Sequence, residues 1–196
     1  MNQSLIKAAV RARFLLTGRN QADRRIRAAL SRYLSLARGI DSAHGRRHVR
    51  VPPMPGVDED MRDWSFFMIL EHNIIVNRSI SAVVDRLVQG LPTAGAGAID
   101  AKKDVMPTAD AGAEQVAALK TSVENYLRMA SGPVRLRGTA TVRHPIFDDL
   151  DAHGWHCMFG LHLEIHLRQA RAVVRAIGSH PSAGPHGRHF RGARHD

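Results

Sequence analysis

One cysteine, Cys157, stands in the 196 residues. No intrachain disulfide can form, so the fold has to be held by its core, and the sparse cysteine suits a reducing compartment. No stretch of about 18 uncharged apolar residues occurs, which excludes a membrane-spanning helix. Basic residues break up the apolar N-terminal segment, which argues against a secretory signal and for a cytoplasmic location. Aromatic residues are few (two Trp, two Tyr and six Phe). With no zinc-finger spacing and no glycine-aromatic signature, the chain carries no strong nucleic-acid motif. It also lacks a Ser-His-Asp order, a glycine-rich phosphate loop and a paired-carboxylate centre.

Acidic residues are scarce at one end. Residues 1–50 hold twelve Lys and Arg against Asp23 and Asp41, and the remaining residues balance, so the whole net charge of +10 lies in the N-terminal quarter. A solvated arginine-rich helical surface accounts for this. So does a face that meets nucleic acid, a membrane surface or an acidic protein. A length of 196 residues allows one domain of ordinary size with a buried core.

Most of the chain has helical periodicity. Leu5, Ile6, Ala9, Val10, Phe14 and Leu15 recur at helical spacing, interrupted by Lys7, Arg11 and Arg13. No acid precedes Asp23, a composition shared with transit peptides, but a first helix or an extension to it is the plainer reading. Asp23 to Leu36 continues the period, and Gly39 is a stop. Residues 42–60, with Pro52, Pro53, Pro55 and Gly56, form a loop that either covers a pocket or merely connects. A long helix is expected from Asp60 or Asp63 to about Gln89, ended by Gly90 and Pro92. Residues 91–110 look like a long loop, and a further helix is expected over Ala111 to Ala130. Val134 to Val142 suggests extended chain or a strand pair broken at Gly138. Asp148, Asp149 and Asp151 lead into a last helix. The histidine- and arginine-rich end has too few apolar residues to pack and reads as disordered.

The candidate chemistry lies on two of these helices. His162 and His166 are four residues apart and fall on the apolar stripe Trp155, Met158, Gln169, Val173 and Ile177. Glu164, Arg168, Arg171 and Arg175 occupy the opposite face. His72 lies on the apolar stripe of the earlier long helix. A buried imidazole needs a hydrogen-bond partner or a metal. Three such imidazoles are either core residues bonded to the backbone and side chains, or ligands of a divalent ion with a coordination position left open. Zn, Ni and Fe all accept such a set. Cys157 lies about 140° from His162 around the helix, a poor ligand position that suits a buried small hydrophobe. Glu164 does not directly follow the first histidine, so the zinc-protease arrangement fails. Asn73, Asn77, Glu124 and Tyr126 are positional candidates to orient the imidazoles.

Two short motifs carry a resemblance. His144-Pro145-Ile146-Phe147, Trp155 and the run from His162 through His166 to Arg168-Gln169 resemble the last-helix signature of the DinB-like (YfiT-like) metalloenzyme superfamily. Trp64-Ser65 to His72-Asn73 is similar to that family's second-helix motif. Leu167 and Asp148 stand where that signature often has His and Gly.

The resemblance implies an all-α, up-down-down-up four-helix bundle whose divalent metal is held by His72, His162 and His166. It also implies thiol-dependent transferase or isomerase chemistry with a low-molecular-weight thiol. The expected organisation is a basic helical extension over 1–20, the bundle over 21–178 and the tail over 179–196. The expected function is a metal-dependent transferase or hydrolase with a small-molecule substrate. The alternative is a non-catalytic bundle that binds an anionic partner through its basic N-terminal helices. Homodimerisation is left open.

Overall fold

The computed structural model describes residues 3–92 and 104–178. Helix α1 spans Gln3–Leu16, α2 Arg19–Ala37, α4 Phe66–Val88, α5 Glu114–Ala130 and α6 Ala152–Gly178, with a single helical turn, α3, at Ser42–Gly45 and a 3-10 turn at Glu59–Met61. Strands β1 (Val142–His144) and β2 (Asp148–Leu150) form an antiparallel hairpin. The tail over 179–196 and most of the stretch over 91–110 fall outside the described residues.

Four helices make the bundle. α2 and α4 each pack against both α5 and α6. Fully buried Ile26, Phe66, Leu119, Val123, Phe159 and Leu163 fill the centre, and Tyr126 stacks on Phe159 with ring centroids 3.8 Å apart. α1 lies outside this ring, against α6.

Local chemistry sets the ends of the elements. α4 begins at Phe66, later than the expected Asp60 or Asp63, because the Ser65 hydroxyl caps it by accepting from the Met68 N–H at 3.2 Å. The preceding acids belong to the separate 3-10 turn. α4 ends as expected at Gly90 (φ 66°), where the Leu91 N–H returns to the Arg86 carbonyl. α6 begins where Asp151 accepts the Gly154 N–H at 2.8 Å.

Of the two readings of 134–142, extended chain holds up to 141 and a strand pair broken at Gly138 does not form. Pairing starts at Val142, which lies opposite Leu150, and both are buried. The carbonyls of 134–136 are used elsewhere: Arg19 donates to Val134 and the His153 N–H donates to Leu136. In the hairpin, Asp148 has φ 56°, a left-handed conformation that Asp tolerates better than most residues, and its carboxylate pairs with Lys7 and Arg143.

The loop before α4 packs on α6. Val51 and Arg62 close it by a backbone N–H to carbonyl bond of 2.9 Å. At Gly56 (φ 82°) the backbone approaches Ile165 of α6 so closely that an added Cβ would sit 3.0 Å from that side chain. The loop is thereby held over α6 next to His166.

Candidate metal centre

α4 contributes His72, and α6 contributes His162 and His166 one helical turn apart. Their packing brings all three imidazoles together, with one nitrogen of each within 4.8 Å of the others. The Nε2 of His72 lies 3.2 Å from the Nε2 of His162 and 3.2 Å from that of His166. Two nitrogens each about 2.05 Å from one tetrahedral ion lie about 3.3 Å apart, so these separations match a ligand edge.

The partners on the far side of each ring decide what these contacts are. His72 Nδ1–H donates to the Val105 carbonyl at 2.7 Å. Glu71, its neighbour on α4, accepts the Thr108 N–H at 2.6 Å and so anchors the segment that presents Val105. His166 Nδ1–H donates to Gln169 Oε1 at 2.8 Å, and the Gln169 amide is oriented by its own donation to the Met61 carbonyl at 2.6 Å. With both Nδ1 atoms protonated, the neutral rings of His72 and His166 turn bare lone pairs toward each other. No hydrogen bond can join them.

His162 can give one proton to one of the two. Its Nδ1 is then a buried lone pair with no partner, and the third ring stays unsatisfied. No neutral tautomer assignment satisfies the cluster, whereas a cation among the three Nε2 atoms would satisfy every bare nitrogen facing it. The donor set fits a divalent ion of the zinc type, with orienting acceptors already in place on two ligands.

Electrostatics favour the ligand form. Burial lowers the pKa of His72. Burial and the neighbouring imidazoles hold His162 well below the ordinary value and take His166 down to about 3. All three are therefore neutral at pH 7, as ligation requires. Trp64, buried in the loop that enters α4, covers one side with its ring centroid 4.9 Å from that of His72 and a stacked contact to His166 at 6.4 Å. Only His162 of the three is partly exposed.

The candidates for orienting the imidazoles lie elsewhere. Asn73 donates to the Tyr33 hydroxyl and the Ile69 carbonyl, and Asn77 donates to Ser122. Tyr126 bonds His156, and Glu124 pairs loosely with Lys120. The groups that do orient the rings are the Val105 carbonyl and Gln169. Gln169 was visible on the same stripe as His166, one turn on; a backbone carbonyl leaves no sequence signal. Glu164 lies outside the cluster, 3.9 Å from Arg13 of α1. Cys157 is buried away from it, and burial pushes its thiol up to about 11.

Two buried histidines that sequence patterning passed over provide an internal contrast. His153 Nε2–H donates to the Thr17 carbonyl at 2.9 Å. His156 accepts the Tyr126 hydroxyl at Nδ1 (2.8 Å) and presents Nε2 to Asp23 at 3.1 Å. His153 is a satisfied core residue of the ordinary kind, and His156 is held through Nδ1 while its Nε2 faces Asp23 without a hydrogen bond; neither ring joins the three that converge.

No family model matches the chain, and no curated protein matches it at a significant level. Among solved structures, the chain is similar to the crystal structure of TT2238, a four-helix bundle protein, with a TM-score of 0.56 and 23% identity over 79% of this chain and 98% of that one. At this identity the likeness shows the fold, and the chain is a four-helix bundle with a buried three-histidine cluster that could bind a metal.

Proposed function

We propose that the protein is a divalent-metal-dependent enzyme of the DinB-like kind, with His72, His162 and His166 as the metal ligands. One observation carries this reading: two imidazoles with oriented Nδ1–H donors meet through unprotonated Nε2 atoms at 3.2 Å. A structural core offers no reason to bury that repulsion, and a cation removes it.

Three neutral ligands leave the full charge of the ion available, which would lower the pKa of a bound water or hold a thiol as thiolate. The reaction class proposed is transfer to or from a low-molecular-weight thiol, or hydrolysis, on a small-molecule substrate. The chain's own residues supply the positioning. Val105 and Gln169 hold the tautomers of His72 and His166. Trp64 excludes water from one side. The partly exposed His162 marks the side from which a small molecule would approach. Among the described residues, no helix is long and apolar enough to cross a membrane.

The test is spectroscopic. Cobalt-loaded protein is titrated with glutathione, cysteine and other low-molecular-weight thiols. A sulfur-to-cobalt charge-transfer band that saturates, and that is absent in His162→Ala, supports the thiol-dependent reading. A cobalt spectrum that no thiol alters sinks it and leaves hydrolysis to be assayed.

A further inference from the structure

Helix α1 turns its charges inward and its apolar residues outward. On the inner side, Lys7 pairs with Asp148, Arg11 donates to the carbonyls of Phe147 and Asp149, and Phe14 is buried against Phe147 with ring centroids 6.1 Å apart. At 100° per residue the opposite side carries Leu5, Ala8, Ala9, Ala12, Leu15 and Leu16, an arc of about 120° with no charge in it. All of them are exposed, Leu5 at 66%, Leu15 at 70% and Leu16 at 86%. Scattered apolar residues on a surface need no explanation, but a continuous helix face does.

Charge decides what covers it. Lys7, Arg11, Arg13, Arg19 and Arg25 are engaged within the chain, while Arg24, Arg27 and Arg32 of α2 are exposed, and Asp23 is the one acid on the two helices. The Asp23 side chain is only 15% exposed and faces His156. The helix, about 21 Å long, offers a strip on the order of 200 Å², far below the roughly 800 Å² per partner of a standard interface. A nucleic acid would match the charge and leave the leucines in water. A bilayer with anionic headgroups matches both features, because its phosphates and carboxylates take the exposed Arg24, Arg27 and Arg32 and the acyl boundary takes the leucines. We propose that α1 docks on an anionic membrane surface with Leu5, Leu15 and Leu16 inserted at the headgroup boundary.

Flotation of the full chain with vesicles tests this, using phosphatidylcholine alone and phosphatidylcholine mixed with phosphatidylserine. The expected result is binding to the mixed vesicles only, weakening as salt rises. Leu15→Gln with Leu16→Gln should lower partitioning about 100-fold, roughly tenfold for each leucine withdrawn from the boundary. Ala12→Glu, a charge in the middle of the face at a site with room for it, should do the same while leaving the circular dichroism spectrum unchanged. Three results would overturn the proposal. One is failure of the wild type to float with anionic vesicles. Another is flotation of both variants at the wild-type level. The third is a wild-type dimer in sedimentation that the leucine variant dissociates.

Discussion

Replacing His162 by leucine separates a ligand from a core residue. In metal-free protein, His162 places a buried Nδ1 without a partner beside two imidazoles that already repel each other. An unsatisfied buried polar atom costs about 1–3 kcal/mol. His162→Leu removes that atom and keeps the side-chain bulk. With a chelator present, its unfolding free energy should equal that of the wild type or exceed it by up to about 3 kcal/mol. With zinc at about 1,000 times its dissociation constant the order reverses, because the wild type gains about 4.1 kcal/mol from linkage and the variant gains none. His156→Leu is the control. It orphans the buried Tyr126 hydroxyl, so it should cost about 1–3 kcal/mol whether or not metal is present. The assay is urea denaturation of all three proteins with chelator and with zinc. If His162→Leu falls as far as His156→Leu in chelator, His162 is an ordinary core histidine and the reasoning fails.

Three further outcomes follow from the same geometry. Gln169→Met removes the acceptor of His166 Nδ1–H and should weaken zinc binding about 10–100-fold in a chelator competition, whereas Gln169→Glu, which keeps an acceptor there, should lose less. Stability should fall on acidification below pH 6.5. The His156 pKa is lowered to about 4 in the fold, so between these values the unfolded chain binds the extra proton, and the unfolding free energy from urea denaturation should drop by up to about 1.4 kcal/mol per pH unit for this group, a slope that His156→Gln reduces. Gly56→Ala forces a Cβ onto Ile165 at a positive φ and should destabilise by about 1–2 kcal/mol, with the covering loop more open to protease.

The three converging histidines were legible because helical period is a strong signal and from His72 onward the buried residues of α4 recur at helical spacing. His72 and the His162–His166 pair could be placed on facing surfaces from spacing alone. His153 and His156 could not be sorted in the same way. The whole first part of α6, Ala152 to Gly160, is buried, so no stripe distinguishes one side from another. The orienting groups divide in the same manner: Gln169 shares the stripe of His162 and His166, while the Val105 carbonyl is backbone brought in from a distant loop. The choice between extended chain and a strand pair over 134–142 was left open, because Val142 gains a buried partner only across the turn, at Leu150, and Trp155 donates to the Val142 carbonyl at 3.2 Å. For α1 the helix was legible and its orientation was not. Apolar residues occur on both of its sides, and only the pairing of Lys7 with Asp148 and the burial of Phe14 select the inner one.

The most direct measurement is the metal content of purified protein by elemental analysis, made on the full chain, on a chain ending at residue 178, and on each with His72, His162 and His166 all changed to Ala. The shortened pair removes the four histidines of the tail as adventitious ligands. The account predicts close to one divalent ion per shortened chain and none in its triple variant. A shortened chain that holds no metal after incubation with zinc, nickel or iron, or a triple variant that holds as much as its parent, would contradict it.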